Sequence, residues 1–349
     1  MSRWQMYPTI LNTSFDRVAD IDDFISFIWT TRFYTCGDFE LCADISRADV
    51  LVIGNYVQRR GDNHVGIIEK IQYKMTEEYQ EMIIASGRLL PSLLGRRVIS
   101  TQIQFNGRVT ECIKALISEN AINPAVAARK INGLSFANYS TSTQTMEAQY
   151  AGENLLDTVS SICETYEVGF DCILTNNNGF QFKLYDGVDR SYNQSTNPYV
   201  IFSDKYDNLL SSEYNKDYSE YITDVLVGGE GEGINRTMVW SAKATKSGLN
   251  RYELFLDARS AVTNENIITQ ATYEKQLEGL GLEKVTEYTT AFSGEVDFSG
   301  VELGTDINVG DICTIENEKW QMFINSRLVE AIESIAEDGT YSAIPTFGN

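Results

Sequence analysis

The chain has 349 residues, with 49 acidic side chains against 28 basic ones and a formal net charge of −21 at neutral pH. That balance argues against nucleic-acid binding by counterion release, which needs clustered Lys and Arg. No run reaches the ~18 apolar residues of a membrane span, and the opening MSRWQMYPTILNTSF has neither the apolar stretch nor the small-residue cleavage site of a secretory signal. The length accommodates two or three domains at ~100–200 residues each, and 19 Tyr and 16 Phe against 5 Pro lean toward β structure.

The first hundred residues read mostly as strands. FISFIWTTRFYTCGDFELCAD (24–44), VLVIGNYVQRR, VGIIEKIQYKM and YQEMIIASGRLL are separated by turn signals at Gly54-Asn55, Gly61-Asp62-Asn63 and Thr76-Glu77-Glu78. Strands at this spacing suggest a small antiparallel barrel or sandwich. In HVGIIEKIQYK, Val65, Ile67, Glu69, Ile71 and Tyr73 share one face by alternation, with Glu69 the polar exception. LPSLLGRR then reads as one helical turn, with Pro91 near its start and Gly95 at its end.

Residues 105–196 change character. Val109, Cys112, Ile113, Leu116 and Ile117 follow helical spacing, as do Leu155, Leu156, Val159, Ile162, Cys163 and Tyr166. Gly169 stands where the second helix would be capped, and a hairpin GFDCILT-NNNG-FQFKLYDG follows, with Asn178-Gly179 as its turn. This stretch is expected to be an α+β insert domain whose apolar stripes are core. Strands return from NPYVIFSDKYDNLL onward. One helix is expected over TQATYEKQLEGLGLEKVTEYT, on Tyr273, Leu277, Leu280, Lys284 and Tyr288, weakened by Gly279 and Gly281.

The loop VGGEGEGINR (227–236) has the glycine content of a phosphate cradle, but Glu230 and Glu232 would repel a phosphate. No Gly-Lys-Ser or Gly-Lys-Thr follows, and the next segment reads as a strand. Gly228, Gly229, Gly231 and Gly233 are therefore expected to form a linker between two β regions.

The single histidine, His64, lies in the polar turn RRGDNHVG and is expected at the surface. With one His and six scattered cysteines (Cys36, Cys42, Cys112, Cys163, Cys172, Cys313), neither a His-based catalytic triad nor an ordinary zinc site is expected, and no cofactor is implied. The cysteines read as reduced residues of a protein made in a cytoplasm, with Cys36 and Cys42 the nearest disulfide candidates. Asp38 and Glu40 share a strand face and are the obvious carboxylate pair for a glycosidase, although adjacent acids usually serve as solvated or salt-bridged groups. Arg32, Arg88, Arg96 and Arg97 are candidate partners, and the Arg96-Arg97 pair suits ion pairing at a domain interface.

In order, IWTTRFYTCGDFEL, GIIEKIQYK, SGRLLPSLLGRRVI, AGENLLDTVSSICETYEVGF, YDGVDRS, VIFSDKYDNLLSSEY, GGEGEGINR, LFLDAR, SGEVD, VGDICTI and the closing TFG resemble the tail-hub proteins of siphophages and prophages. These are kin to the N-terminal part of tail-associated lysins and to the central baseplate hub of contractile phages. The resemblance implies an α+β, predominantly antiparallel β fold with two tube-like β-barrel domains. The first, discontinuous barrel would comprise residues 1–104 and about 197–232. The insert would take 105–196, and the second barrel, with one helix, 233–349. It implies a virion protein of the tail tip, assembled in the host cytoplasm, that forms a homotrimer adapting a six-fold tube to a three-fold tip. It further implies contact with distal tail or tube protein, the tape-measure C-terminus and tip or receptor-binding fibres. Phage DNA would pass through a channel without specific binding, and a trimer would carry 3 × −21 = −63 charges.

The resemblance supplies no catalytic residue. Trp29, Arg32, Gly37, Phe39, Glu40, Gly87 and Arg88, with Arg96 and Arg97, read as structural, and the chain is expected to be no enzyme. Any wall-degrading activity would sit on a separate protein, because the sequence stops at Asn349, just past the hub. Two other readings stay open. One is a wall-degrading hydrolase using a carboxylate pair. The other is a carbohydrate adhesin, suggested by 19 Tyr and 4 Trp.

Overall fold

The computed structural model describes residues 6–75, 80–209, 213–259, 269–286, 289–293 and 301–348. Seven strands open the chain: β1 (Pro8–Leu11), β2 (Arg17–Asp20), β3 (Phe24–Arg32), β4 (Asp38–Asp44), β5 (Tyr56–Arg59), β6 (Val65–Met75) and β7 (Glu81–Leu89). They pair antiparallel in the order β3-β4-β7-β6-β5-β1-β2. Alternation decides their faces: Phe27 and Trp29 of β3 lie opposite Leu41 and Phe39 of β4, and all four are buried. Ile10, Val57, Ile68, Ile83 and Ala85 join the same cluster, and Ile335 from the end of the chain packs into it. Each large side chain buried there contributes roughly 1.5–3 kcal/mol.

The helical spacing from 105 onward holds. After β8 (Ile103–Arg108) comes α1 (Val109–Ile117), then β9 (Leu134–Asn138), β10 (Thr145–Tyr150), α2 (Leu155–Thr165), β11 (Gly169–Leu174) and β12 (Phe180–Tyr185). Both helices bury the stripes read from the sequence, except that Tyr166 falls one residue past α2 and is half-buried. The Asn154 side chain caps α2 by accepting from the backbone N–H of Leu156 and Asp157. The helix ends earlier than expected, and the left-handed residue after it is Glu167 at φ 54°, not Gly169. Gly169 instead starts β11 where an added Cβ would overlap the Phe33 ring, so its role is close approach. In the hairpin turn it is Asn178 that takes the left-handed conformation, at φ 55°.

The remaining elements are β13 (Ile201–Ser203), β14 (Glu213–Asp217), β15 (Asp224–Gly228), β16 (Met238–Ala242), β17 (Glu253–Asp257), α3 (Gln270–Leu282), β18 (Thr289–Ser293), β19 (Ile312–Asn317), β20 (Met322–Ala336) and β21 (Tyr341–Gly348). The turn expected at 76–78 and the helix position at 288 lie outside the described residues.

Three expectations change here. First, the opening and closing ladders are not two separate closed barrels. They merge into one 13-stranded sheet, and no ladder closes on itself among the described residues. The cause is β20. Its 15 residues are long enough to pair with β19 over Met322 to Arg327 and with β3 over Glu330 to Ala336, on either side of a bulge at Leu328/Glu330. β21 lies along its other edge. The closing strands keep a core of their own around Phe202, Leu303, Ile307, Cys313, Ile315, Leu328 and Phe347.

Second, the segment expected to return and complete the first barrel pairs elsewhere. β13 runs parallel to β19, and β14 pairs antiparallel with β18, both in the C-terminal ladder. Third, the glycine loop is a hairpin connection rather than a linker between two β regions. It joins β15 to its antiparallel neighbour β16, with Gly228 opposite Met238. β15, β16 and β17 form a separate three-stranded sheet, and α3 covers its Val225 and Val227 face with Tyr273 and Leu277. The expected helix therefore belongs to this small unit and not to the second ladder.

Candidate functional site

The nine residues singled out as structural gather along β3, β4, β7 and the 3-10 turn at 90–96. Trp29 stacks on Phe39 at 6.1 Å, and the Arg59 guanidinium lies 5.1 Å over the Trp29 ring. Gly87 sits opposite Phe39. A Cβ there would overlap the Ile67 carbonyl, and one on Gly37 would overlap the Thr30 carbonyl. Arg32 forks between Asp38 (2.5 Å) and Glu330 (2.6 Å) and donates to the Cys36 carbonyl, which ties β3 and β4 to β20.

Glu69, the polar exception on its strand face, accepts two bonds from Arg88 and faces Arg96 at 3.7 Å. The Arg88 hydrogen bonds hold its carboxyl below the usual range. Arg97 turns away and donates to the Arg129 carbonyl in the insert. Arg96 and Arg97 thus serve different partners and make no shared anion site. Glu40 is exposed, and Asp38 is committed to Arg32, so the pair shares no catalytic cleft.

His64 is where the sequence reading fell short. It is in a turn, as expected, but its ring is only 27% exposed and is engaged on both sides. Gly61 at φ 77° makes the β5–β6 turn, and Asp62 Oδ1 accepts from both the backbone N–H of His64 and its Nδ1. Nε2 reaches Asp171 of β11 at 2.7 Å, and Asp171 also pairs with Lys183 of β12 at 3.0 Å. On the other side Asp62 pairs with Arg59, and Arg59 with Glu333 of β20, each at 2.5 Å. The Tyr341 hydroxyl donates to Glu333.

The result is an unbroken line of charges, Glu333–Arg59–Asp62–His64–Asp171–Lys183, that crosses from the C-terminal ladder through the N-terminal ladder into the insert. Burial alone would lower the His64 pKa. The carboxylates of Asp171 and Asp62 outweigh it and lift the ring to about 10. Burial pushes the Asp62 and Asp171 carboxyls up, but His64 beside both, with Arg59 and Lys183, drives them well below the carboxylate range. With His64 protonated, three anions meet three cations, so the line is neutral. It floors a crevice of about 870 Å³ whose walls include Thr31, Tyr139, Ile173, Tyr185, Leu303 and Val309.

The six cysteines are free, five of them buried, and burial pushes the thiols of Cys36 and Cys112 to about 12. No group of three or more metal-ligating side chains converges among the described residues. No helix of those residues is long and apolar enough to cross a membrane. In the glycine loop, the Glu230 N–H donates to the Tyr273 hydroxyl at 2.6 Å, and Arg236 donates to the carbonyls of Gly228 and Gly229. These contacts fasten the loop to its own small unit.

The arrangement is a long, merged, mostly antiparallel sheet pinned by internal ion pairs. The chain belongs to the family of Siphovirus ReqiPepy6 Gp37-like proteins, whose family model matches residues 7–349. No curated protein matches it. Among solved structures it is similar to the tail protein from Neisseria meningitidis MC58, at 13% identity over 98% of this chain and 96% of that one, with a TM-score of 0.60. It is also similar to prophage tail protein gp18 from Listeria monocytogenes EGD-e, at 12% identity over 98% and 94%, TM-score 0.58. The 43 kDa tail protein of prophage MuSo2 from Shewanella oneidensis matches at 13% identity over 98% of each chain, TM-score 0.57. The chain is thus a member of a siphovirus family and has the fold of phage tail proteins.

Proposed function

We propose that this chain is the structural hub of a phage tail tip, without catalytic activity of its own. Three copies would form a ring that adapts a six-fold tube to a three-fold tip and bounds the path of the DNA. The observation that carries the reading is the doubling within one subunit. Two successive, mostly antiparallel ladders, each with its own buried cluster, meet along β3 and β20. Three subunits then offer six such ladders to a six-fold cylinder.

In this reading the first unit comprises residues 6–104, the insert 105–186, the second ladder about 200–217 with 289–348, and the small sheet with α3 about 222–286. The charge line through His64 keeps the first three of these in one orientation under load. The family and fold match support a place in the virion tail. Distal tail or tube protein would lie above, the tape-measure C-terminus within, and fibre or tip proteins below, with assembly in the host cytoplasm. Quantifying the chain in purified tails against a tube protein tests the copy number. Three copies per tail fit the reading, whereas two or six contradict it.

A further inference from the structure

Two chain segments join the small sheet and α3 to the rest of the protein, one entering β15 and one leaving α3, and they run side by side. β14 pairs with β18 as far as Asp217 and Thr289, and Ile222 pairs with Thr286 beyond them. The Ile222 N–H donates to the Thr286 carbonyl at 3.1 Å, and the Thr286 hydroxyl donates to the Glu220 carbonyl. The unit on this neck has its own core of Val225, Val227, Ala258, Tyr273, Leu277 and Val285. The charge line through His64 does not reach it. A compact body on a two-stranded neck turns as a rigid whole unless a second contact holds it.

That contact is α3 against β10 of the insert. Gln276, Gly279 and Glu283 recur at helical spacing, on a different face from Tyr273, Leu277 and Gly281, which pack on the small sheet. A Cβ on Gly279 would stand 2.5 Å from the Glu147 carbonyl oxygen, so helix and strand meet backbone to backbone. The Tyr150 hydroxyl donates to Glu283 Oε1 at 2.5 Å. Gln276 is buried, and its Oε1 accepts no hydrogen bond among the described residues. Water would satisfy that oxygen if the surfaces parted, so it favours separation. The stripe is polar, and the large apolar side chains of α3 lie on the other face.

Glu283 makes the contact sensitive to protons. Around its carboxyl stand Tyr150 of β10, Glu153 just after it, Cys112 of α1, Tyr166 at the end of α2 and its neighbour Lys284. Burial raises the carboxyl above its ordinary value and Glu153 adds to the rise, against a smaller pull from Tyr150 and Lys284. Burial also holds Tyr150 well above its ordinary value, so it remains a donor. Parting the surfaces would return Glu283 to water. The contact is therefore at full strength below the ordinary glutamate value and is weakened as pH rises through the raised one.

We propose that the small unit is a hinged arm, swinging on the Ile222–Thr286 neck and latched to the insert by the Gln276–Gly279–Glu283 stripe, with proton uptake at Glu283 closing the latch. The arm belongs to the single chain and stands whatever number of copies assemble.

The test is a spin-label distance within the full chain between Leu249→Cys on the small unit and Glu119→Cys on the insert, both exposed positions. Cys36→Ser removes the one native thiol that is not buried. Dilution with unlabelled chain keeps the reading within one copy. Distances are recorded near pH 5 and near pH 8.5 for the labelled parent, for Glu283→Gln and for Gly279→Leu, with circular dichroism melts to check folding. The proposal expects one short distance in the parent at acid pH and a longer-distance population that grows by at least about threefold at the higher pH. Glu283→Gln should abolish that pH response, and Gly279→Leu should show the longer distance at both values. One unchanged distance in all three proteins at both pH values would overturn the hinge. A pH response that survives in Glu283→Gln would overturn Glu283 as the latch. If Gly279→Leu fails to fold, the comparison of the parent with Glu283→Gln decides alone.

Discussion

His64 Nε2 stands 2.7 Å from the Asp171 carboxylate, joining a hairpin of the N-terminal ladder to a strand of the insert 107 positions away. Replacing His64 by Gln removes the cation and leaves Asp62 and Asp171 facing each other's charge across a neutral amide. We expect a loss of about 1–3 kcal/mol, read as a lower midpoint in urea at unchanged slope.

The same pair fixes the sign of the pH response. The folded pKa of His64, about 10, lies above its ordinary value. Its stabilisation is therefore full below the unfolded value of ~6.5 and is lost as pH rises through ~10. The folded values of Asp62 and Asp171 are depressed. Their stabilisation is full above the unfolded value of ~3.9 and is lost as pH falls below it. Thermal melts should show a plateau near pH 5–6 with a decline on both sides, and His64→Gln should flatten the alkaline decline between pH 7 and 10.

Gly87 faces the Ile67 carbonyl so closely that a methyl group would overlap it. Gly87→Ala should cost about 1–3 kcal/mol or more, because the obstacle is backbone at a β-bulge and cannot rotate away. A unit of this size shifts by roughly 2–4 °C or less per kcal/mol, so an unchanged melting temperature would contradict this.

Arg32 is the clasp between the two ladders, held by Asp38 and Glu330. Arg32→Met should lower stability by about 1–3 kcal/mol, and native-state hydrogen exchange should speed up most along β3 and β20, which share it.

Five of the six cysteines are buried. A thiol reagent should label at most one cysteine quickly in the native protein, and all six in denaturant. Fast labelling of Cys112 or Cys163 in the native protein would contradict the packing of α1 and α2.

Local signals explain what the sequence revealed. The stripes of α1 and α2, the Pro91 turn and the hairpin at Asn178 depend on residues within one or two turns of each other, so periodicity and turn chemistry suffice. Pairings across hundreds of residues leave no such trace. Nothing in MFINSRLVEAIESIA announces that β20 will serve two ladders, and VIFSDKY carries no mark that sends β13 to β19 rather than back to the first ladder. The glycine loop misled because a hairpin turn and a linker share the same composition. At His64, Asp62 two residues earlier hinted at a local turn, but Asp171, which makes the ring a bridge, could be placed only by the fold.

The central claim is that one subunit doubles the ladder so that three copies meet a six-fold cylinder. Imaging intact tails by cryo-electron microscopy with this chain located at the tip tests it most directly. The account predicts a threefold ring of the chain coaxial with the tube, its two ladders alternating around the circumference. A dimer, a sixfold ring, or the chain placed away from the tip would contradict it.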